Sequence, residues 1–548
     1  MTWLTWLRTT RRWGRSVITG LGTGLGTGLG AGLLALPGAA AERVELFYGP
    51  FEITLQVDDI QHFADTGEVR SSLGPIAQRL APAQLDGLRG LLNRPFNLDV
   101  TTVGELTYSP VGSRLLGQLG ELVQTNDQRS GFSALRASLI LAASQEPELT
   151  VMAVLQRFPL ETMQINYALA QQLLGESQAF FQRRDAVLAD LEAQARQAPS
   201  TALAQGAPEQ PGVFAWERRT ILFENPLRQS QPVADLYLPT GHGPPGSVSV
   251  VVISHGAAAS RYTLAYLGQH LATHGYGAVV IEHEDNRAQF EQFLNGLAQP
   301  PDPITLISRP MDVTAVLDAL AAIAPDDPSL AQLNLTSVGI VGQSLGGYTA
   351  LAVAGAAHNP EALRRVCPTS SQSSLSLNLS LLVQCELLAV DQELPQSLRD
   401  DRVTSAIAIS PLTSHIFAQA GLSQVEIPVM VVAGTDDYLT PALPEQIQPF
   451  GWLASVEKYL VVVAAGTHFS FLAGDPEGGA LPLPADLYGP ESSSAYPYLR
   501  GLSVAFFDRY QRGETAAAAY LSQGYLDTFD QTPFRALIVQ ESPDLAVD

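Results

Sequence analysis

The chain has 548 residues, 46% of them hydrophobic, which is too long for one ordinary domain and enough for two folded domains plus accessory segments. Its 54 acidic side chains against 31 basic ones leave a formal net charge of -23, which argues against nucleic acid or anionic membrane surfaces as partners because both would repel it. Acidity by itself names no substrate.

Residues 1–41 read as an export signal. Arg8, Arg11, Arg12 and Arg15 precede an uncharged stretch at 16–36, followed by Pro37-Gly38-Ala39-Ala40-Ala41. A positive flank, a mildly apolar middle and a small-residue end define a secretory signal peptide cut after Ala41. Arg11-Arg12 raises the twin-arginine route beside the general one. The many glycines of the middle weaken a spanning helix, so no stable transmembrane anchor is expected after cleavage, and the protein is expected in the periplasm or outside the cell. In that oxidising setting Cys367 and Cys385, eighteen positions apart, are expected to form a disulfide. A metal site would need more ligands nearby than the sequence places there, so no metal is expected.

From residue 42 to 197 the pattern is a smaller, mainly helical domain. It opens with two short strands around the turn at Gly49-Pro50. Leu85, Leu88, Leu91 and Leu92 then share one helical face, as do Leu115, Leu119 and Leu122, and Leu135, Leu139 and Ile140 continue the theme. A long polar helix is predicted at 166–197, and the Ala/Pro/Gln-rich stretch 198–212 reads as a linker.

The segment 213–512 alternates strand and helix. Stretches 219–223 and 234–238 read as an antiparallel start, and 248–254 as a continuous apolar run of the kind buried on both faces of a parallel sheet. Helix is predicted at 262–274, strand at 277–283, helix at 311–323 and strand at 337–341. After a polar insertion at 359–402, strands return at 406–409, 429–433 and 459–463. The rhythm predicts a doubly wound, mostly parallel α/β sheet, whose reactive groups collect at the carboxyl ends of strands. Residues 513–548 read as a C-terminal tail.

The strand at 337–341 runs into Gly342-Gln343-Ser344-Leu345-Gly346 and then into small and apolar residues at helical spacing. A serine on such a turn sits in a cramped backbone, and Gly342 and Gly346 leave room for strand and helix to approach, so Ser344 is the candidate nucleophile. A serine hydroxyl needs a base, and the base needs an orienting acid. Strand 429–433 ends in Gly434-Thr435-Asp436-Asp437, and Asp437 is the expected acid, with Asp436 read as a turn-former. His468 follows strand 459–463 and is the only histidine after the acid, which makes it the expected base. Ala257, in the loop His255-Gly256-Ala257 after strand 248–254, and Leu345 are expected to supply the two oxyanion-hole amides, with His255 bracing the loop.

Four stretches carry a family resemblance: SHGAAASRYTLAYLGQHLATHGYGAVVIEHEDN at 254–286, ISRPMDVTAVLDAL at 307–320, VGIVGQSLGGYTAL at 338–351, and the segment from Cys367 to SLLVQC at 380–385. Together they resemble secreted bacterial α/β-hydrolases of the platelet-activating factor acetylhydrolase type, close also to the polyester-hydrolase branch. Residues 42–160 are similar to an uncharacterised domain found in front of such hydrolases. The resemblance implies a triad of Ser344, Asp437 and His468, oxyanion amides at Ala257 and Leu345, and hydrolysis of short-chain or lipid esters without metal or organic cofactor. The N-terminal domain and the 359–402 insertion depart from the acetylhydrolase core, and either could cover the site. Two other readings stay open: a peptidase or amidase of the same fold, and a binding protein with a vestigial hydrolase domain.

Overall fold

The computed structural model describes residues 40–48, 51–146, 148–197, 206–241, 243–367, 376–474, 488–529 and 533–541. The export signal and the turn at Gly49-Pro50 therefore lie outside the described residues. The N-terminal region opens with β1 (Arg43–Tyr48) and β2 (Phe51–Gln56), which pair antiparallel. They are joined by two strands that its helical pattern hid, β3 (Val123–Gln124) and β4 (Thr162–Ile165), in the order β2-β1-β4-β3. Helices close over this small sheet around Phe63, Phe158 and Met163, all buried.

The long helix Tyr167–Gln197 begins as an exposed polar rod. Val187, Leu191 and Ala195, spaced four apart, then form a buried stripe inside the core of the following sheet. Its second half thus belongs physically to the larger domain, although the sequence groups it with the smaller one.

That domain is built on nine strands: β5 (Trp216–Leu222), β6 (Val233–Pro239), β7 (Val248–Ser254), β8 (Gly277–Glu282), β9 (Leu333–Gln343), β10 (Val403–Ile409), β11 (Val429–Gly434), β12 (Lys458–Ala464) and β13 (Arg535–Val539). Their order is β13-β12-β11-β10-β9-β7-β8-β6-β5. Neighbours from β8 to β12 run parallel, while β5, β6 and β13 are antiparallel additions at the two edges. Val250 and Val252 face one core and Val251 and Ile253 the other, which is why β7 is apolar at consecutive positions. Helices Thr305–Ile323 and Leu345–Val353 cover the first face, and Ala265–Thr273 and Tyr496–Tyr510 the second. From β7 the chain goes to β8 on one side and later to β9 on the other. The switch point between β7 and β9 opens a crevice at their carboxyl ends, the usual ligand position in such sheets.

One expectation is corrected. Residues 513–548 are not simply a tail: after the short helical turns Thr515–Tyr520 and Gln523–Leu526, β13 pairs antiparallel with β12 and completes the sheet. Without it β12 would present an unpaired edge, and the run Ala536-Leu537-Ile538-Val539 supplies apolar side chains to both faces.

The insertion 359–402 carries helices Pro360–Val366 and Ser380–Gln384, and the sulfurs of Cys367 and Cys385 are bonded. Buried Glu445 ties it to the domain, accepting hydrogen bonds from Asn378, Ser380, Gln384 and Ser414 side chains and from the backbone of Thr413 and Ser414. Arg114 of the smaller domain pairs with Glu386 and donates to the carbonyl of Leu382 at 3.2 Å. Among the described residues no helix is long and apolar enough to cross a membrane.

Candidate active site

β9 ends at Gln343, and Ser344 takes φ 56° and ψ -119° before the next helix begins at Leu345. A non-glycine residue pays strain for this conformation, and its neighbours hold it there: the Ser344 amide donates to the carbonyl of Ile409 at 2.8 Å, and its carbonyl accepts from the Tyr348 amide at 3.0 Å. The flanking glycines are required by contact. A Cβ at position 342 would lie 1.9 Å from the carbonyl oxygen of Gly346, and one at 346 would lie 2.1 Å from that of Ser254. Strand, helix and β7 could not close on the turn with side chains at either position.

His468 and Asp437 come from the loops after β12 and β11, with Nδ1 of the imidazole 2.8 Å from Oδ2 of the carboxylate. Asp437 Oδ1 accepts from the amides of Leu439 and Thr440, and Oδ2 also accepts from the Thr440 hydroxyl at 2.8 Å. Burial by itself would raise this carboxyl. The facing imidazole and the Thr440 amide and hydroxyl outweigh it and hold Asp437 below the usual carboxylate range. An ionised Asp437 accepts a hydrogen bond from Nδ1–H, which leaves Nε2 as the acceptor. Asp436 instead sits in the turn, its amide on the carbonyl of Gly466 at 2.8 Å.

Ser344 and His468 line one cavity of about 420 Å³, and Ala257 lines it too. Ala257 is exposed, and among the described residues its amide has no protein acceptor; nor has that of Leu345, the first residue of the helix. The wall also includes Thr263, Phe469, Leu472, Tyr488 and the charged residues Arg287 and Glu491. Among the described residues neither the smaller domain nor the insertion contributes a side chain to this wall; segments 469–474 and 488–492 do.

Two groups have contacts that the sequence did not reveal. Gln343, beside the serine, donates through Nε2 to the backbone carbonyl of His468 at 3.0 Å, tying the β9 turn to the histidine loop. Thr440 bridges Asp437 and His468. His415 is partly buried with Nδ1 2.9 Å from the Ser414 hydroxyl, and burial lowers its pKa.

A second set of the same residue types lies next to the 255–257 loop. Ser254 Oγ is 2.8 Å from Nε2 of His283, and Nδ1 of His283 is 2.8 Å from Oδ2 of Asp312. All three are fully buried. Asn225 and Arg228 also donate to Asp312, at 2.8 and 3.1 Å. Burial raises the Asp312 carboxyl to about 6, even against Arg228 and Asn225, whereas burial and the charges of Arg309 and Arg228 push His283 well below its ordinary value. His283 is therefore neutral, donating from Nδ1 and accepting a hydrogen bond from the Ser254 hydroxyl at Nε2. Among the described residues no group of three or more His, Cys, Asp or Glu could hold a metal ion.

Comparison with known families agrees with this architecture. Residues 40–166 match the model described as an alpha/beta hydrolase of unknown function (DUF1400), and residues 199–307 match that of platelet-activating factor acetylhydrolase, isoform II. The second match includes the 255–257 loop and His283, and it ends before Ser344, Asp437 and His468. No curated protein matches the chain.

Proposed function

We infer that this α/β hydrolase, similar over residues 199–307 to platelet-activating factor acetylhydrolase isoform II, is a serine esterase acting on short-chain or lipid esters. The observation that carries the reading is the imidazole of His468, held at 2.8 Å by Asp437, on the wall of the cavity that also holds the strained Ser344. In this reading the Ser344 hydroxyl attacks the ester carbonyl while Nε2 of His468 takes its proton, and Asp437 stabilises the imidazolium that forms. The amides of Ala257 and Leu345 receive the oxyanion. Collapse of the tetrahedral intermediate expels the alcohol with the proton from His468, leaving an acyl-Ser344. Water, activated by the same base, then releases the acid. None of these steps draws on a cofactor.

The partly apolar wall and modest volume support short acyl groups over bulky polymers. The Cys367–Cys385 disulfide supports export to a periplasmic or extracellular setting. The test is hydrolysis of p-nitrophenyl acetate, butyrate and longer esters against the matching anilides, with native protein and Ser344→Ala. Ester cleavage lost in the variant is expected. Cleavage of anilides alone would make the protein an amidase, and equal background from both proteins would leave a binding role.

A further inference from the structure

The loop between β7 and the next helix is held from behind by a buried guanidinium. Arg309, on helix Thr305–Ile323 and fully buried, donates from Nη1 to the carbonyl of His255 at 2.6 Å, from Nη2 to the carbonyl of Gly256 at 3.1 Å, and from Nε to Asp285 Oδ1 at 2.7 Å. The imidazole of His255 adds a second donor to the same Gly256 carbonyl, Nδ1 at 2.7 Å, while its Nε2 accepts from the His283 amide at 3.0 Å. Those two partners fix the neutral tautomer of His255. Asp285 in turn holds the other end of the loop, its carbonyl accepting from the amide of Ala258, whose φ is +52°.

The carbonyl of Gly256 and the amide of Ala257 belong to one peptide unit. In a planar trans peptide the C=O and N–H point in opposite directions. Two donors that draw the Gly256 oxygen into the protein therefore turn the Ala257 N–H outward, on the side where Ala257 lines the cavity with Ser344. A guanidinium on that oxygen also polarises the peptide and makes the N–H a better donor.

We propose that Arg309, seated by Asp285 and assisted by His255, is a positioning residue that aims and polarises the Ala257 amide at the oxyanion. It touches no reacting atom and acts through the 256–257 peptide. The assignment rests on the serine-esterase reading above, so the experiment begins with Ser344→Ala on p-nitrophenyl acetate. A variant that stays active removes the esterase reading itself, whatever Arg309 does.

With Ser344→Ala inactive, Arg309→Met and Arg309→Lys are compared with native protein for kcat, KM, and affinity for an alkyl trifluoromethyl ketone, whose serine adduct carries a tetrahedral oxyanion. Arg309→Met is expected to lower kcat by about 10²-fold, the loss of one oxyanion donor, with KM changed by less than about threefold. Trifluoromethyl ketone affinity should fall in proportion to kcat. Arg309→Lys, which keeps the charge but not the fork, should fall between the two and stands in for the methionine variant should that one fail to fold. Folded variants with kcat within threefold of native protein overturn the proposal. So does a loss of kcat with trifluoromethyl ketone affinity intact, because that pattern is scaffold damage with the oxyanion hole unchanged.

Discussion

Two serine, histidine and aspartate sets lie near each other in this molecule, at Ser344, His468 and Asp437 and at Ser254, His283 and Asp312, with the same 2.8 Å between histidine Nδ1 and carboxylate in each. Residue types and the histidine–carboxylate distance do not tell them apart. Backbone and access do: Ser344 sits at φ 56° on the wall of a cavity that Ala257, its amide unpartnered among the described residues, also lines, whereas Ser254 closes an ordinary strand and is wholly buried. The electrostatics diverge as well. Asp437 is held below the usual carboxylate range by partners that outweigh its burial, and Asp312 is pushed to about 6 because its partners do not. A relay becomes a candidate catalyst when its hydroxyl meets solvent and an oxyanion site; sealed in, the same relay is structural glue.

Breaking the first set should cost the most. Ser344→Ala should reduce kcat for p-nitrophenyl acetate by about 10⁶-fold, leaving only what binding and the oxyanion amides supply. Asp437→Asn keeps shape but not the His468 tautomer, and a loss of about 10⁴-fold is expected. Steady-state kinetics on both variants, with near-ultraviolet circular dichroism to show that they fold, checks the pair. Asp436→Asn serves as the control, since its amide holds the turn, its carboxylate accepts from the neighbouring Thr435 hydroxyl at 3.2 Å through an oxygen that asparagine keeps, and activity should stay within about threefold of native protein.

The two sets were not equally legible. Ser344, Asp437 and His468 each follow an apolar strand and carry local punctuation, a glycine pair around the serine and glycine before the acid, so chain order alone picks them out. The sealed set carries no such punctuation. Its serine, histidine and aspartate are scattered over 254–312 and meet only because β7, β8 and the helix Thr305–Ile323 become neighbours. An inward polar side chain looks the same in sequence as an outward one, and for that reason Arg309, Gln343 and Thr440 were missed too. The parallel core was readable because strands buried on both faces are apolar at every position. β13 was not, because five residues carry no period and their partners lie 71 to 79 positions earlier.

Breaking the sealed set should cost stability instead. Asp312→Asn leaves Arg228, whose side chain is 2% exposed, without its carboxylate, and a loss of about 3–5 kcal/mol in urea unfolding is expected. The pH dependence gives the sign. Native Asp312 holds its proton up to about 6 and the unfolded chain only to about 3.9, so between these values the native state binds more protons. Stability from this group is therefore present below that window and is lost as pH rises through it, by up to about 3 kcal/mol. The stability gap between native protein and Asp312→Asn should shrink from pH 4 to pH 6. A gap that widens over that range would mean that Asp312 is ionised throughout. Asp437 has the opposite sign: its contribution is complete above about 3.9 and is lost only as pH falls through its lowered value.

The smallest effect is the sharpest test of the comparison. Ser254 donates to Nε2 of His283 at 2.8 Å and has no route to substrate, so Ser254→Ala removes one buried hydrogen bond and leaves a buried ring nitrogen unpaired. That should cost about 1–2 kcal/mol in urea unfolding while kcat stays within about twofold. A fluorophosphonate should therefore label native protein and Ser254→Ala at equal rates, and peptide mapping should find the phosphonyl group on Ser344 alone. Label on Ser254 would mean that the sealed pocket opens in solution, and burial would no longer separate the two sets.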